Sequence, residues 1–194
     1  MIKVFIGGSR KVSRLSAEVR QRLDRIIKKG FPVLIGDANG VDKVVQQYFH
    51  EHNYNQVEVF CMEGVCRNNL GGWPTRSISA VNRKRDFSYY SSKDRVMADD
   101  ASVGFMIWDG KSKGTLTNVF RLISQNKKVV IYTAPSKQFS DLKNKADWDV
   151  FLSSSGNDLG KQVERRAFIE GRKSQSPVQL NLFSANRLPE HQPA

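Results

Sequence analysis

Sulfur and imidazole are scarce in this chain, which has two cysteines and three histidines in 194 residues. Cys61 and Cys66 make one C-x4-C pair with no second pair to complete a four-ligand zinc site. A structural disulfide stays open for them, although nothing else in the sequence points to secretion. His50 and His52 stand two apart on an expected helix, so they diverge and cannot share a metal there. His191 lies in the C-terminal tail. Without Cys–His or Ser–His–Asp spacing, neither a metal site nor a hydrolytic triad is supported, and no cofactor or metal is expected. Long apolar runs are missing as well, so no segment reads as crossing a bilayer. The opening Ile2-Lys3-Val4-Phe5-Ile6 is too short and too soon interrupted for a signal h-region. These absences predict a cytoplasmic protein with no membrane partner.

Acidic residues are also few, 19 against 31 Lys and Arg, which leaves a net charge of +12. An excess of that size suits a polyanionic partner or an anionic ligand, and a solvated basic surface is the plain alternative.

What the chain does have is regular alternation of short apolar runs and amphipathic stretches. Strands are predicted at Lys3–Gly8, Phe31–Gly36, Val57–Met62, Ser102–Trp108 and Lys128–Thr133. Helices are predicted from Ser16 as N-cap to a stop at Gly30, over Val41–His52, from about Arg83 to Ala98, and over Thr115–Gln125. The expected fold class is α/β, a Rossmann-like three-layer sandwich around a mainly parallel five-stranded sheet. Residues 63–82, rich in Gly and Asn, read as a long loop. After Pro135 two short helices are expected, one capped by Ser140 and one by Asn157. From Gly171 the composition turns Ser-, Gln-, Pro- and Asn-rich and predicts a flexible tail. The expected organisation is therefore 1–135 as the nucleotide-binding domain, 136–170 as a helical extension and 171–194 as the tail. Oligomeric state is not legible, and a homo-oligomer stays open.

Three short turns fall where predicted strands end. The first is Gly7-Gly8-Ser9-Arg10, in which glycine frees the backbone and Arg10 can clamp an anion. The second runs from Gly36 to Asp42. Within it Asp42 reads as a cap of the following helix, while Asp37 is the better candidate for a ribose hydroxyl. Asn39 and Gly40 complete the turn. The third is Asp109-Gly110-Lys111-Ser112-Lys113-Gly114-Thr115. It is not a P-loop, because Phe105 stands where that motif needs its first glycine. Instead Ser112, Gly114 and Thr115 lead into a helix and offer N–H groups and hydroxyls to a phosphate, with Lys111 and Lys113 adding charge. In an open α/β sheet such turns share the rim where ligands bind. Together they predict a bound nucleotide or nucleotide derivative.

These motifs resemble the SLOG superfamily, the Rossmann-like nucleotide-binding group shared by DprA and LOG proteins, over roughly residues 1–135. Gly8-Ser9-Arg10 is similar to the family's first turn, and Gly36-x-Ala38-x-Gly40-x-Asp42 to the G-x-A-x-G-x-D segment of DprA. Lys93-Asp94-x-x-Met97, Asp99 and Gly110-x-Ser112-x-Gly114-Thr115 match the later signature. The resemblance implies a ligand site that includes Asn118. The cytokinin-activating LOG hydrolases, however, carry a catalytic glutamate where this chain has Asn118. An amide cannot ionise to act as a base or to steady an oxocarbenium ion, so binding without hydrolysis is favoured. Nucleotide N-glycosidase activity through Asp37, Asp94 or Asp99 is the enzyme alternative, and no catalytic residue is assigned. DprA-like binding of single-stranded DNA is the third reading, and it does not travel with the fold.

Two further stretches bear on partners. Arg67, Arg83, Lys84 and Arg85, interleaved with Trp73, Phe87, Tyr89 and Tyr90, have the ingredients of a single-strand groove. The alternative is a solvated basic helix whose aromatics face the core. In the tail, Gln179-Leu180-Asn181-Leu182-Phe183 is similar to the Q-L-x-L-F peptide that grips the bacterial sliding clamp. Leu180, Leu182 and Phe183 would be its apolar anchors and Gln179 its hydrogen-bonding position. The rival is a segment that packs on the chain's own surface.

Overall fold

The computed structural model describes residues 1–79, 87–153 and 157–174. Seven strands form one sheet in the order β4-β3-β2-β1-β5-β6-β7. They are β1 (Val4–Gly8), β2 (Val33–Gly36), β3 (Val57–Met62), β4 (Thr75–Ile78), β5 (Val103–Trp108), β6 (Lys128–Thr133) and β7 (Gln138–Leu142). Adjacent strands run parallel except β6 and β7, which are antiparallel.

The helices follow from the alternation of apolar residues along the strands. Val4 and Ile6 point to one face and Phe5 to the other, and all three are buried. The first face packs α1 (Ala17–Lys29) and α2 (Val41–Glu51) through Val19, Leu23, Val45 and Phe49. The second packs α3 (Phe87–Asp100), α4 (Lys113–Ser124), α5 (Lys145–Ser153) and α6 (Asn157–Ser174) through Met97, Leu116, Trp148 and Val163. The expected three-layer Rossmann-like sandwich is thus present. Leu23 and Trp148 have no exposed surface, and burying one such side chain is worth about 1.5–3 kcal/mol.

The ends of α1 are set by its sequence. Ser16 Oγ accepts the Val19 N–H at 3.4 Å, and Gly30 closes the helix at φ 61° with its N–H directed to Ile26 and Ile27 carbonyls.

The sheet has seven strands rather than the five expected. β4 lies inside the segment read as loop, and its Thr-Arg-Ser-Ile sequence has no apolar stripe because it is a half-exposed edge. Arg76 ties it inward, donating to both carboxylate oxygens of Glu58 on β3 at 2.9 Å. β7 replaces the start of the expected helix at Ser140, which pairs with Ile131. Pro135 belongs to the β6–β7 turn, where Lys137 takes a positive φ of 53°. The cap of α5 is Asn144, whose Oδ1 accepts the Asp147 N–H at 3.0 Å. Asp147 in turn accepts the Lys143 N–H at 2.7 Å. The helix α6 continues to Ser174, past the expected break at Gly171.

Cys61, at the end of β3, is joined to Cys66 as a disulfide, with Cα atoms 4.9 Å apart. No described helix is long and apolar enough to cross a membrane.

Strand order places the site. From β1 the chain steps outward through β2, β3 and β4, and then returns to lay β5 on the other side of β1. That reversal opens a crevice at the carboxyl ends of β1 and β5, the usual ligand position in such sheets.

Candidate functional site

A cavity of about 590 Å³ occupies this crevice, within the range of small-molecule sites. The first turn contributes Gly7, Gly8, Arg10 and Lys11, and the third contributes Asp109 and Lys111–Thr115. From the second turn only Ala38 and Asp42 reach it.

Ser9 joins the first turn to the third. It is fully buried, and its Oγ donates to Asp109 Oδ1 at 3.0 Å, accepts the Asp109 N–H at 3.1 Å and lies 3.2 Å from Thr115 Oγ1. Asp109 Oδ1 also accepts the N–H groups of Lys111 at 3.0 Å and Ser112 at 2.7 Å. Burial raises the Asp109 carboxyl, but these backbone donors and the Ser9 hydroxyl outweigh it and hold the group below its usual range. Ser112 is the N-cap of α4, accepting the Thr115 N–H at 3.4 Å. The first turn of α4, with Lys113, Gly114 and Thr115, therefore opens on the cavity. A helix start bordered by lysines suits a phosphate.

The second turn supports the site from below. Its glycines are needed for protein contacts, not for a ligand's approach. A Cβ on Gly36 would collide with Asp42 Oδ2 and sit 2.6 Å from Lys93 Nζ. A Cβ on Gly40, which has φ 82°, would overlap the backbone of Arg10. Asp42 is not the expected cap of α2. Gly40 holds that position without a side-chain bond, and Asp42 reaches back to accept the Ala38 N–H at 3.0 Å. Asp37 does not line the cavity and is gripped by Arg67. The guanidinium donates to Oδ2 at 3.0 Å and to Oδ1 at 2.6 Å, and the Arg67 N–H donates to Oδ2 at 3.1 Å. Burial pushes Asp37 up, but the Arg67 bonds dominate and its carboxyl titrates lower than normal. Asn39 is engaged by Asn68 Nδ2 at 3.2 Å, which also donates to the Asp37 carbonyl at 2.8 Å. The loop at 67–70 is thereby sewn onto this turn.

The cavity floor holds a buried ionic cluster. Lys93 Nζ lies 3.1 Å from Asp94 Oδ1 and 3.8 Å from Asp37 Oδ1. Desolvation opposes its charge, but Asp94, Asp42 and Asp37 raise the ammonium above its ordinary value. Burial likewise works against the Asp94 carboxylate, yet Lys93 and Arg121 hold it low. Asp42 behaves differently: burial lifts it to about 6 against the partial relief that Lys93 provides. Asn118 closes the cluster on α4. Its Nδ2 donates to Asp94 Oδ2 at 3.1 Å and its Oδ1 accepts from Arg121 at 2.5 Å. Both ends of the amide are committed to protein partners.

Of the sequence-predicted ligand positions, Gly8, Arg10, Ser112, Lys113, Gly114, Thr115 and Asn118 line the cavity. Ser9, Gly36, Asp37, Asn39 and Gly40 build its walls from behind. Arg67 is bound to Asp37, and its Cζ lies 4.9 Å from the Tyr90 ring centroid, with that of Arg10 at 5.6 Å. Trp73 is buried and donates through Nε1 to the Tyr54 carbonyl at 3.0 Å, so it is a core residue and not a stacking platform. Arg83, Lys84 and Arg85 lie outside the described residues, as do Gln179, Leu180, Leu182 and Phe183. Tyr90 and Arg166 line the cavity without having been singled out as ligand positions. Tyr90 had a basic–aromatic signal, whereas Arg166 had none, because its place depends on how α6 packs.

No family model matches the chain. No curated protein matches it in sequence. Among solved structures it is similar to DNA processing protein A from Helicobacter pylori, described for its single-stranded DNA binding mode. The TM-score is 0.54 at 14% identity, over 84% of this chain and 81% of that one. The likeness is one of fold, and it agrees with the Rossmann-like architecture reached from the strand order.

Proposed function

We propose that this chain binds a nucleotide or nucleotide derivative by its phosphate at the carboxyl rim of the sheet. The observation that carries the reading is the cavity at the β1–β5 reversal, where the start of α4 meets Arg10, Lys111 and Lys113. The start of α4 and the cations beside it suit a phosphate in charge. Binding without hydrolysis is part of the proposal, since Asn118, bonded to Asp94 and Arg121, is an amide that cannot ionise to act as a base.

A second reading, DprA-like binding of single-stranded DNA, is supported by the fold likeness and by the net charge of +12. A titration of free nucleotides against oligonucleotides of increasing length separates the two. A nucleotide site saturates with one small molecule and gains little from length. A strand site gains affinity with length and loses it steeply with salt. Recruitment to a bacterial sliding clamp through Gln179, Leu180, Leu182 and Phe183 completes the proposal and rests on the peptide sequence alone.

A further inference from the structure

Three carboxylates line the cavity, Asp42, Asp94 and Asp109. Asp94 has both oxygens engaged, Oδ1 by Lys93 Nζ and Oδ2 by Asn118 Nδ2. Asp109 spends Oδ1 on the first and third turns and is only partly buried, so water can serve its other oxygen. Asp42 differs from both. It is 7% exposed, and its Oδ2 accepts the Ala38 N–H at 3.0 Å. Its Oδ1 accepts no hydrogen bond among the described residues. That oxygen is not sealed in either, since the fully enclosed side-chain atom left without a partner there is Asp100 Oδ2. What surface Asp42 keeps therefore opens on the cavity that it lines.

A carboxylate served by one N–H and deprived of water is a cost to the fold. An amide at the same position could accept the Ala38 N–H without that cost, so the second oxygen is placed to take a donor from a ligand. Lys93 limits what the donor can be. It forms its ion pairs with Asp94 and Asp37 but still acts on Asp42 through space. A second cation beside it would be repelled, which leaves a neutral O–H or N–H.

The sheet sets the distance from the phosphate position. β2 and β5 flank β1, so the turns that follow them stand about 10 Å apart. The bond to Ala38 holds the Asp42 carboxyl at the first of these turns, and the start of α4 follows the second. The sugar of a nucleotide lies one ester linkage from its phosphate, whereas the base edge is at the far end of the molecule. The sugar is the part that spans such a gap.

Resting on the nucleotide reading, we propose that Asp42 Oδ1 accepts a hydrogen bond from a ribose hydroxyl of the bound nucleotide and makes the site selective for sugars that carry it. The ribose contact thus belongs to Asp42 and not to Asp37, which Arg67 occupies.

The test is calorimetric titration of the full chain at pH 8, where Asp42 is ionised, with AMP, GMP, CMP and UMP. The tightest binder is then compared with its 2′-deoxy and 3′-deoxy forms. Wild type should bind one deoxy form at least about 10-fold more weakly, the loss expected for a hydrogen bond to a charged group, and that form identifies the hydroxyl. Asp42→Asn keeps an acceptor for Ala38 and should bind the ribose and deoxy forms within 2-fold of each other. Equal affinity of wild type for all three sugars overturns this inference without recourse to the variant and leaves the rim reading standing. A uniform loss in Asp42→Asn that preserves the ribose preference also overturns it, by making Asp42 a support of the turn. Failure of every nucleotide to bind overturns the rim reading and this inference together. Thermal melting of the variant separates lost binding from lost folding.

Discussion

Gly40 and Arg10 are in backbone contact, and this contact locks the second strand-end turn beneath the first. Gly40 sits at φ 82°, and any Cβ there would overlap the Arg10 backbone. Gly40→Ala therefore combines backbone strain with a clash and should cost about 1–4 kcal/mol of stability. Chemical denaturation should show the loss. In whatever fraction folds, ligand affinity should fall as well, because the turn that presents Arg10 has moved.

The Asp37–Arg67 pair predicts a second stability effect. Removing the guanidinium leaves a buried carboxylate with Lys93, 3.8 Å away, as its remaining cation among the described residues. Arg67→Ala should destabilise by about 1–3 kcal/mol, less than for a fully buried pair because Arg67 is itself partly exposed. The double variant Arg67→Ala with Asp37→Asn should recover part of that loss, and a double-mutant cycle measures the coupling.

The pH dependence of stability should have two parts. Asp37, Asp94 and Asp109 titrate low in the folded chain. Their contribution is present above the unfolded value of about 4 and is lost as pH falls through their folded values. Asp42 runs the other way. Its folded value of about 6 exceeds the ordinary 3.8, so its contribution is present at low pH and is lost as pH rises through that window. Asp42→Asn should flatten the decline between these values and raise stability at pH 7 relative to pH 4 by about 1–3 kcal/mol over wild type. Urea melts across pH 3.5–8 measure it. An unchanged profile in the variant would remove Asp42 as the titrating group.

Free base should not be released from nucleoside monophosphates during prolonged incubation with the protein. Chromatography of the reaction checks this. Released base would overturn the binding-only reading, and Asp42 and Asp94, the carboxylates that line the cavity beside Asp109, would be the first to replace.

A peptide spanning residues 177–185 should bind a bacterial sliding clamp alone, with the affinity lost when Leu182 and Phe183 are both replaced by alanine. In the full chain that double replacement should leave the melting temperature and nucleotide binding unchanged. A drop of several degrees with no clamp binding at any stage would make the segment part of the fold.

The buried strands were legible in the sequence because Val4, Phe5 and Ile6 are apolar toward both faces. α1 was legible because Ser16 and Gly30 mark its ends by ordinary capping chemistry. β4 and β7 escaped for the opposite reason. As polar edge strands they are held by pairing and by bonds such as Arg76 to Glu58, which no local pattern announces. At the rim, Gly36 and Gly40 were read as ligand positions, but what crowds them is Asp42, Lys93 and the Arg10 backbone, which only the folded chain brings near. Asp42 was misassigned as a cap because its role depends on a carboxylate turning back to Ala38. Arg166 was invisible because it reaches the cavity through packing of α6 on α4.

The most direct measurement is calorimetric titration of wild-type protein and Gly114→Val with nucleoside mono- and triphosphates, with melting temperature recorded for both. Gly114 lines the cavity in the first turn of α4, where the phosphate is proposed to sit, and a bulky side chain there is expected to crowd the ligand. The account predicts saturable one-site binding to wild type and loss of binding by at least about 10-fold, or about 1.4 kcal/mol, in a folded Gly114→Val. Undiminished affinity in the folded variant would contradict a phosphate site at the start of α4.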